Sequence, residues 1–270
     1  MKIGIFDSGL GGLGLLLAAA RVMPNAEFLY YADTDNVPYG EKPRETIVTL
    51  SDRAVSTLKE RGACAVVVAC NTATSAAIVE LRKKYESGEN GIPIIGMEPA
   101  VKRAIELCRG GRILAAATPV TVKGAKLKNL LERFDPTKRT DTLPLPGLVR
   151  LAEAGDFEGG YEYIRSAVSE ASLNVDDYSA LVLGCTHFNY FKDSFRRILP
   201  SDTYIVDGNE GTVNQLMRRI GVTPCAIDGD SVDGIMKRTV FLISGRVTES
   251  ATEREKIKRS LLRLEEMEKV

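Results

Sequence analysis

Cys70 and Cys185 occupy the same kind of place in this chain. Cys70 follows the apolar run at 65–69 and Cys185 the apolar run at 180–184. Small polar residues come next: Asn71, Thr72, Ala73 and Thr74 after the first, Thr186 and His187 after the second. Each thiol therefore leaves a buried-looking strand and enters turn chemistry, which is where open α/β sheets place their active sites. Two thiols presented from such strand ends, facing one another, could remove a proton from one side of a carbon and return one from the other. The residue types suggest two-base proton transfer.

The elements that must hold these thiols follow βαβ order. Short β-branched runs at 3–6, 27–32 and 65–69 alternate with segments of helical period at 10–22 and 45–61, and a strand is expected at 94–96 after a turn-rich connection at 86–93. A second series repeats the pattern: helix 100–108, strand 112–117, helix 122–134, strand 140–143, helix 161–171 and strand 180–183, followed by a strand at 204–206. Asp7 and Ser8 end the first strand of one half, while Thr118 and Thr121 follow the equivalent strand of the other. The expected fold is α/β: two pseudo-symmetric, Rossmann-like parallel-sheet domains with the active site in the cleft between them. A helix at 211–220 and the final strand and helix are expected to return to the first half. Domain one would then comprise residues 1–97 and 208–270, and domain two residues 98–207. Beyond Glu249 the chain is charge-rich, with Ile257, Leu261, Leu264 and Met267 at helical spacing, so one amphipathic helix packing on the body is expected.

With 270 residues the chain can bury a large core in one big or two modest domains. Lys plus Arg and Asp plus Glu both number 36, so no overall field favours nucleic acid or an anionic membrane, and small neutral or zwitterionic substrates fit the balance. No apolar stretch reaches the roughly 18 residues of a spanning helix, and the N-terminus lacks the features of a signal peptide, so a cytoplasmic protein is expected. Five cysteines, an odd and sparse count, fit reduced thiols better than a disulfide framework. No two have Cys-x-x-Cys spacing and His187 is the only histidine, so no metal site is expected.

Gly9, Gly11 and Gly14 match G-x-G-x-x-G directly after a strand, with Asp33 about 20 residues later at another strand end, as in a dinucleotide-binding fingerprint. Against that reading, Asp7 and Ser8 immediately precede the glycines, Pro38, Tyr39 and Gly40 crowd the same rim, and the cysteine pair stays unexplained. The favoured reading is a tight strand-to-helix turn that glycine permits, one that could bring backbone N–H groups to a substrate carboxylate.

Four separated motifs, Asp7-Ser8-Gly9-Leu10-Gly11-Gly12, Val37-Pro38-Tyr39-Gly40-Glu41-Lys42, Cys70-Asn71-Thr72-Ala73 and Gly184-Cys185-Thr186-His187, together resemble the signatures of glutamate racemase, within the aspartate and glutamate racemase superfamily. The resemblance spans about the whole chain. His187 stands where aspartate racemases tend to carry Glu, and Thr74 where they tend to carry His, which favours glutamate. Two stretches depart from the family pattern: Phe188 and Asn189 replace its Tyr-Pro, and residues 143–151 differ from its Cys-Pro-Leu-Phe-Val-Pro-Leu. These flank the site and weaken the carry-over of the family's helper glutamate onto Glu153, which reads also as a solvated helix residue.

The resemblance implies cofactor-independent interconversion of L- and D-glutamate through a carbanion-like transition state at the α carbon, supplying D-glutamate for peptidoglycan. It implies glutamate as the substrate, and a homodimer is the default expectation, with no nucleic acid or membrane partner expected from the charge balance. Cys70 would act on the D enantiomer and Cys185 on the L, with Asp7 near Cys70 and His187 near Cys185 as groups able to share the thiol or ammonium proton. Substrate binding falls to Asp7, Ser8, Pro38, Tyr39, Gly40, Asn71, Thr72, Thr118, Thr121, Thr186 and His187, whose hydroxyl, amide and backbone N–H groups can hold two carboxylates without a basic cluster. Thr121 also reads as the N-cap of a helix beginning at Val122. His187 has a structural alternative as well, outweighed because it is the sole histidine and follows Cys185 by two positions. Cys64, Cys108 and Cys225 read as inert, buried small hydrophobes.

Overall fold

The alternating apolar runs and amphipathic segments form strands and helices in the expected order, in a computed structural model that describes residues 1–97, 100–108, 110–225 and 231–270. In chain order the elements are β1 (Lys2–Asp7), α1 (Leu13–Val22), β2 (Glu27–Ala32), α2 (Arg44–Glu60), β3 (Ala65–Val68), α3 (Asn71–Tyr85), β4 (Ile94–Gly96), α4 (Val101–Leu107), β5 (Arg112–Ala117), α5 (Pro119–Lys123) and α6 (Ala125–Phe134). They continue with β6 (Thr140–Pro144), α7 (Gly147–Ala154), α8 (Gly159–Glu170), β7 (Tyr178–Leu183), α9 (Lys192–Ile198), β8 (Tyr204–Val206), α10 (Asn209–Ile220), α11 (Val232–Lys237), β9 (Thr239–Ile243), β10 (Arg246–Val247) and α12 (Ala251–Met267).

The strands make two sheets, ordered β10-β9-β2-β1-β3-β4 and β6-β5-β7-β8. Every pairing is parallel except that of β10 with β9. The order β2-β1-β3-β4 in the first sheet recurs as β6-β5-β7-β8 in the second. So β3, which leads to Cys70, and β7, which leads to Cys185, hold equivalent places. β9 pairs with β2, which carries the late part of the chain back to the first sheet.

Parallel strands covered on both faces need apolar side chains at successive positions. β1 and β3 supply them, and because side chains alternate across a strand they feed two cores. Ile3, Ile5 and Val67 face a cluster with Leu13 and Leu16 of α1, while Phe6, Val66 and Val68 face one with Ile47 and Leu58 of α2 and Leu81 of α3. The first cluster runs on through Leu114 and Leu181 of the second sheet, Phe188 and Tyr190, and Ile257, Leu261 and Leu264 of α12. This shared core locks the two sheets together and uses the apolar stripe expected beyond Glu249. Among the described residues, no helix is long and apolar enough to cross a membrane.

The structure corrects several local expectations. The helix expected at 122–134 is two helices, because Thr118 caps α5 with Pro119 in its first turn and Gly124 adopts an extended conformation between α5 and α6. Thr121 lies inside the first turn of α5, where its N–H donates to Thr118 Oγ1 at 3.4 Å, so it is not the N-cap of a helix at Val122. Residues 10–12 form a turn, and α1 begins only at Leu13. α3, α9 and α11 occupy stretches for which no helix was expected, and α7 is the helix that carries Glu153.

Candidate active site

β1 ends at Asp7, level with Ala32 of β2, and the chain must turn within a few residues to enter α1. The Asp7 side chain is fully buried in that turn. Its Oδ1 accepts the Gly9 N–H at 3.0 Å, and its Oδ2 accepts the Thr186 hydroxyl, also at 3.0 Å. Thr186 follows β7, so this bond joins the carboxyl edges of the two sheets. The carbonyls of the turn are held by two buried tyrosines: Tyr30 donates to Gly9 O at 2.9 Å and Tyr190 to Leu10 O at 2.8 Å. Neither tyrosine was singled out from the sequence, since nothing in local spacing marks which carbonyl a distant hydroxyl will meet. Burial, opposed in part by the charge of His187 and by the two hydrogen bonds, pushes the Asp7 carboxyl up to about 6.

Cys70 joins β3 to α3 and caps the helix, its Sγ accepting the Ala73 N–H at 3.4 Å. The thiol donates to Ser8 Oγ at 3.5 Å. Burial, and then the Asp7 carboxylate, push this thiol up to about 12; the sulfur of Cys185 acts in the same direction, which puts the two thiols within electrostatic reach of each other. Cys185 is buried at the end of β7, with its Sγ 3.9 Å from His187 Nδ1. On the far side of the ring, His187 Nε2 lies 2.7 Å from Glu153 Oε1. Burial disfavours an imidazolium here, but the hydrogen bonds and charges of Cys185 and Glu153 outweigh it and push His187 well above its ordinary value. A protonated ring then directs one N–H at Glu153 and the other at the Cys185 sulfur.

The rim is a chain of hydroxyls. Thr72 Oγ1 and Thr118 Oγ1 are 3.0 Å apart, and Thr118 donates to Thr121 Oγ1 at 3.1 Å, which links the start of α3 to the end of β5. Asn71 is buried beside them, its Nδ2 donating to Met97 Sδ and its Oδ1 without a hydrogen-bond partner among the described residues. Pro38 follows a cis peptide bond, and Tyr39 commits its hydroxyl to Asp33 Oδ2 at 2.6 Å. Gly40 backs onto Thr118, where an added methyl group would come within 2.8 Å of Cβ. The predicted residues therefore fall into three hydrogen-bonded pairs, Asp7 with Thr186, Ser8 with Cys70 and Cys185 with His187, a hydroxyl chain of Thr72, Thr118 and Thr121, and a border of Pro38, Tyr39, Gly40 and Asn71.

The glycine fingerprint has a different use from phosphate binding. A methyl group on Gly9 would collide with Glu153, and one on Gly11 would come within 2.6 Å of both Thr186 Oγ1 and His187 Nδ1, so one sheet's turn packs directly against the other's. Asp33 is occupied by Tyr39, Asn36 and Arg53. Among the described residues, no group of three or more His, Cys, Asp or Glu side chains is placed to hold a metal ion.

Comparison with known proteins shows the family of this chain. The Asp/Glu/Hydantoin racemase family model matches residues 15–216. A glutamate racemase of Campylobacter curvus is 54% identical over 228 residues, covering 82% of this chain and 83% of that one, and a glutamate racemase of Lachnospira eligens is 47% identical over 274 residues, covering 100% of both. The chain belongs to the glutamate racemase family. Among solved structures, Escherichia coli glutamate racemase in complex with L-glutamate and the activator UDP-MurNAc-ala has a TM-score of 0.79 at 26% identity, covering 97% of this chain and 94% of that one. Aquifex pyrophilus glutamate racemase has a TM-score of 0.65 at 34% identity, covering 81% and 83%.

Within the glutamate racemase frame, two readings from the sequence need correction. Glu153 is not a solvated helix residue: its side chain is 11% exposed, and its Oε1 accepts both His187 Nε2 and the Leu10 N–H, the latter at 2.6 Å. Burial opposes its ionisation, but His187, the Leu10 N–H and Lys256 outweigh burial and hold it below the usual glutamate range. The reading of three inert, buried cysteines holds in burial only for Cys108, because Cys64 and Cys225 are exposed. Cys64 precedes β3 at the end of the strand opposite Cys70 and donates to Lys2 O.

Proposed function

We propose that this chain interconverts L- and D-glutamate at the α carbon, one cysteine removing the proton while the other delivers one to the opposite face. Cys70 acts on the D enantiomer and Cys185 on the L. The observation that supports this most is a pair of buried thiols on equivalent strand ends: Cys70 hydrogen-bonded to Ser8, the chain neighbour of Asp7, and Cys185 beside His187, which Glu153 backs. His187 Nδ1 stands beside the Cys185 sulfur, within reach to exchange a proton with it. On the other face, an arriving substrate ammonium beside Asp7 offsets the carboxylate's upward push on Cys70. The hydroxyls of Ser8, Thr72, Thr118, Thr121 and Thr186, the Asn71 amide and the backbone N–H groups at Tyr39 and Gly40 hold the two carboxylates, with the positive end of α3 beneath them.

The reading extends to the setting. The reaction uses no metal or organic cofactor, runs in the cytoplasm in a homodimer, and supplies D-glutamate for peptidoglycan. Domain one is residues 1–97 and 208–270 around the first sheet, a division supported by the pairing of β9 with β2, and domain two is residues 98–207.

Circular dichroism of the purified protein with D-glutamate, then D-aspartate, without pyridoxal phosphate or nicotinamide, tests the reaction. A signal with D-glutamate is expected. Cys70→Ala and Cys185→Ala should each lower racemisation by at least about 10³-fold. Enantiomers are equal in free energy, so kcat/KM must fall equally in both directions in each variant. Near-wild-type turnover by either variant rules the two-thiol scheme out. In heavy water, Cys185→Ala should exchange the α hydrogen of D-glutamate alone, which checks which thiol serves which enantiomer.

A further inference from the structure

Glu153 divides its carboxylate between two jobs. Oε1 accepts the Leu10 N–H and faces His187 Nε2, while Oε2 lies 3.7 Å from Lys256 Nζ on the C-terminal helix α12. The backbone at Lys256 is fixed, because its neighbour Ile257 and then Leu261 and Leu264 are buried in the core shared by both sheets. Its side chain is 47% exposed and lines a cavity of about 560 Å³ between α7 and α12, together with Glu255 and Arg259 of its own helix. The titratable groups that feel Glu153 from the other elements are His187 and Tyr190 after β7, Asp7 of β1 and Tyr30 of β2.

We propose that Lys256 is a positioning residue for the Cys185 face: its ammonium holds the outer oxygen of Glu153, so that the inner oxygen stays on His187 and the ring keeps Nδ1 directed at the Cys185 sulfur. The C-terminal helix thus takes part in proton transfer through one lysine that does not touch the substrate. The inference rests on reading Cys185 as a proton-transfer residue.

Lys256→Gln removes a cation from the group, which raises the proton affinity of both Glu153 and His187. The acid limb of the kcat/KM profile should move up by roughly half a pH unit, as expected for a pair at this distance in a partly solvated site. His187, the only histidine, should show the same upward shift in its imidazole NMR titration. Lys256→Glu should enlarge both shifts, and Lys256→Arg should restore the wild-type profile. A purely structural lysine would change melting temperature without moving either titration. If Lys256→Gln and Lys256→Glu leave the acid limb and the imidazole titration where they stand in the wild type, the proposal fails. Cys185→Ala separates the two ideas: an active Cys185→Ala variant refutes the racemase scheme, whereas the His187 titration in the Lys256 variants reports on the positioning role alone.

Discussion

Asp7→Asn should stabilise this protein while abolishing its activity. The Asp7 carboxyl is fully buried and rises from its ordinary 3.8 to about 6 on folding, with burial the largest cause. Between these values the native state binds more protons than the unfolded chain, so stability falls as pH rises through this window and stays lower above it. A rise of about 2 units corresponds to about 3 kcal/mol at 1.36 kcal/mol per unit. Asparagine carries no charge yet keeps the geometry: its Oδ1 can accept the Gly9 N–H, and the Thr186 hydroxyl can rotate to accept from Nδ2. The variant should therefore gain about 3 kcal/mol at pH 8, about half of that at pH 5, and almost nothing below the unfolded value. For a 270-residue chain, with an unfolding entropy of about 2.1 cal/mol/K per residue, the gain at pH 8 is a rise in Tm of about 5 °C. Thermal melts of both proteins at pH 8 and pH 5, paired with racemisation assays, measure this. An Asp7→Asn variant no more stable than wild type at pH 8, or with equal gains at both pH values, would show that Asp7 carries no such burial penalty. A buried charge kept at a cost to stability is what a catalytic task predicts.

Other expectations follow from the same contacts. Glu153→Gln removes the charge behind His187, so the imidazole titration should fall; because a raised histidine stabilises fully below its unfolded pKa and loses that stabilisation as pH rises through its raised native value, the variant should lose most stability near pH 6 and progressively less above it. An unchanged imidazole titration would mean that Glu153 does not set the charge of His187. Gly11→Ala places a methyl group within 2.7 Å of the His187 backbone nitrogen, which cannot yield as a flexible side chain would. It should cost about 1–3 kcal/mol in a denaturation curve and most of the activity, because the two carboxyl edges are forced apart.

Much of the site was legible because its determinants are local. Cys70 and Cys185 end apolar runs, and apolar runs of that length in βαβ order become buried parallel strands whose carboxyl ends are open to ligands. The repeat of that pattern made two similar halves legible, whereas the strand order within each sheet comes from pairing between distant strands. The helix at 122–134 with Thr121 as its N-cap was not legible as two helices, since the Pro119 and Gly124 that shape and split the stretch act through backbone conformation at single positions. Glu153 was legible only as a weakened carry-over of the family's helper glutamate, because its contacts are with a histidine 34 residues away, the Leu10 N–H and Lys256, all distant in the chain.

By itself the sequence determined the strands, the two thiols at their ends, the polar ring and the family motifs, all set by patterns within a few residues. Docking of the two sheets through their shared core decided the rest. It brought Thr186 onto Asp7 and Glu153 onto His187, set Gly11 against both Thr186 and His187, and laid Lys256 beside the outer oxygen of Glu153. Such contacts lie beyond local pattern because a hydrogen bond or ion pair between distant residues forms only where the packing of the whole chain brings its two atoms within reach.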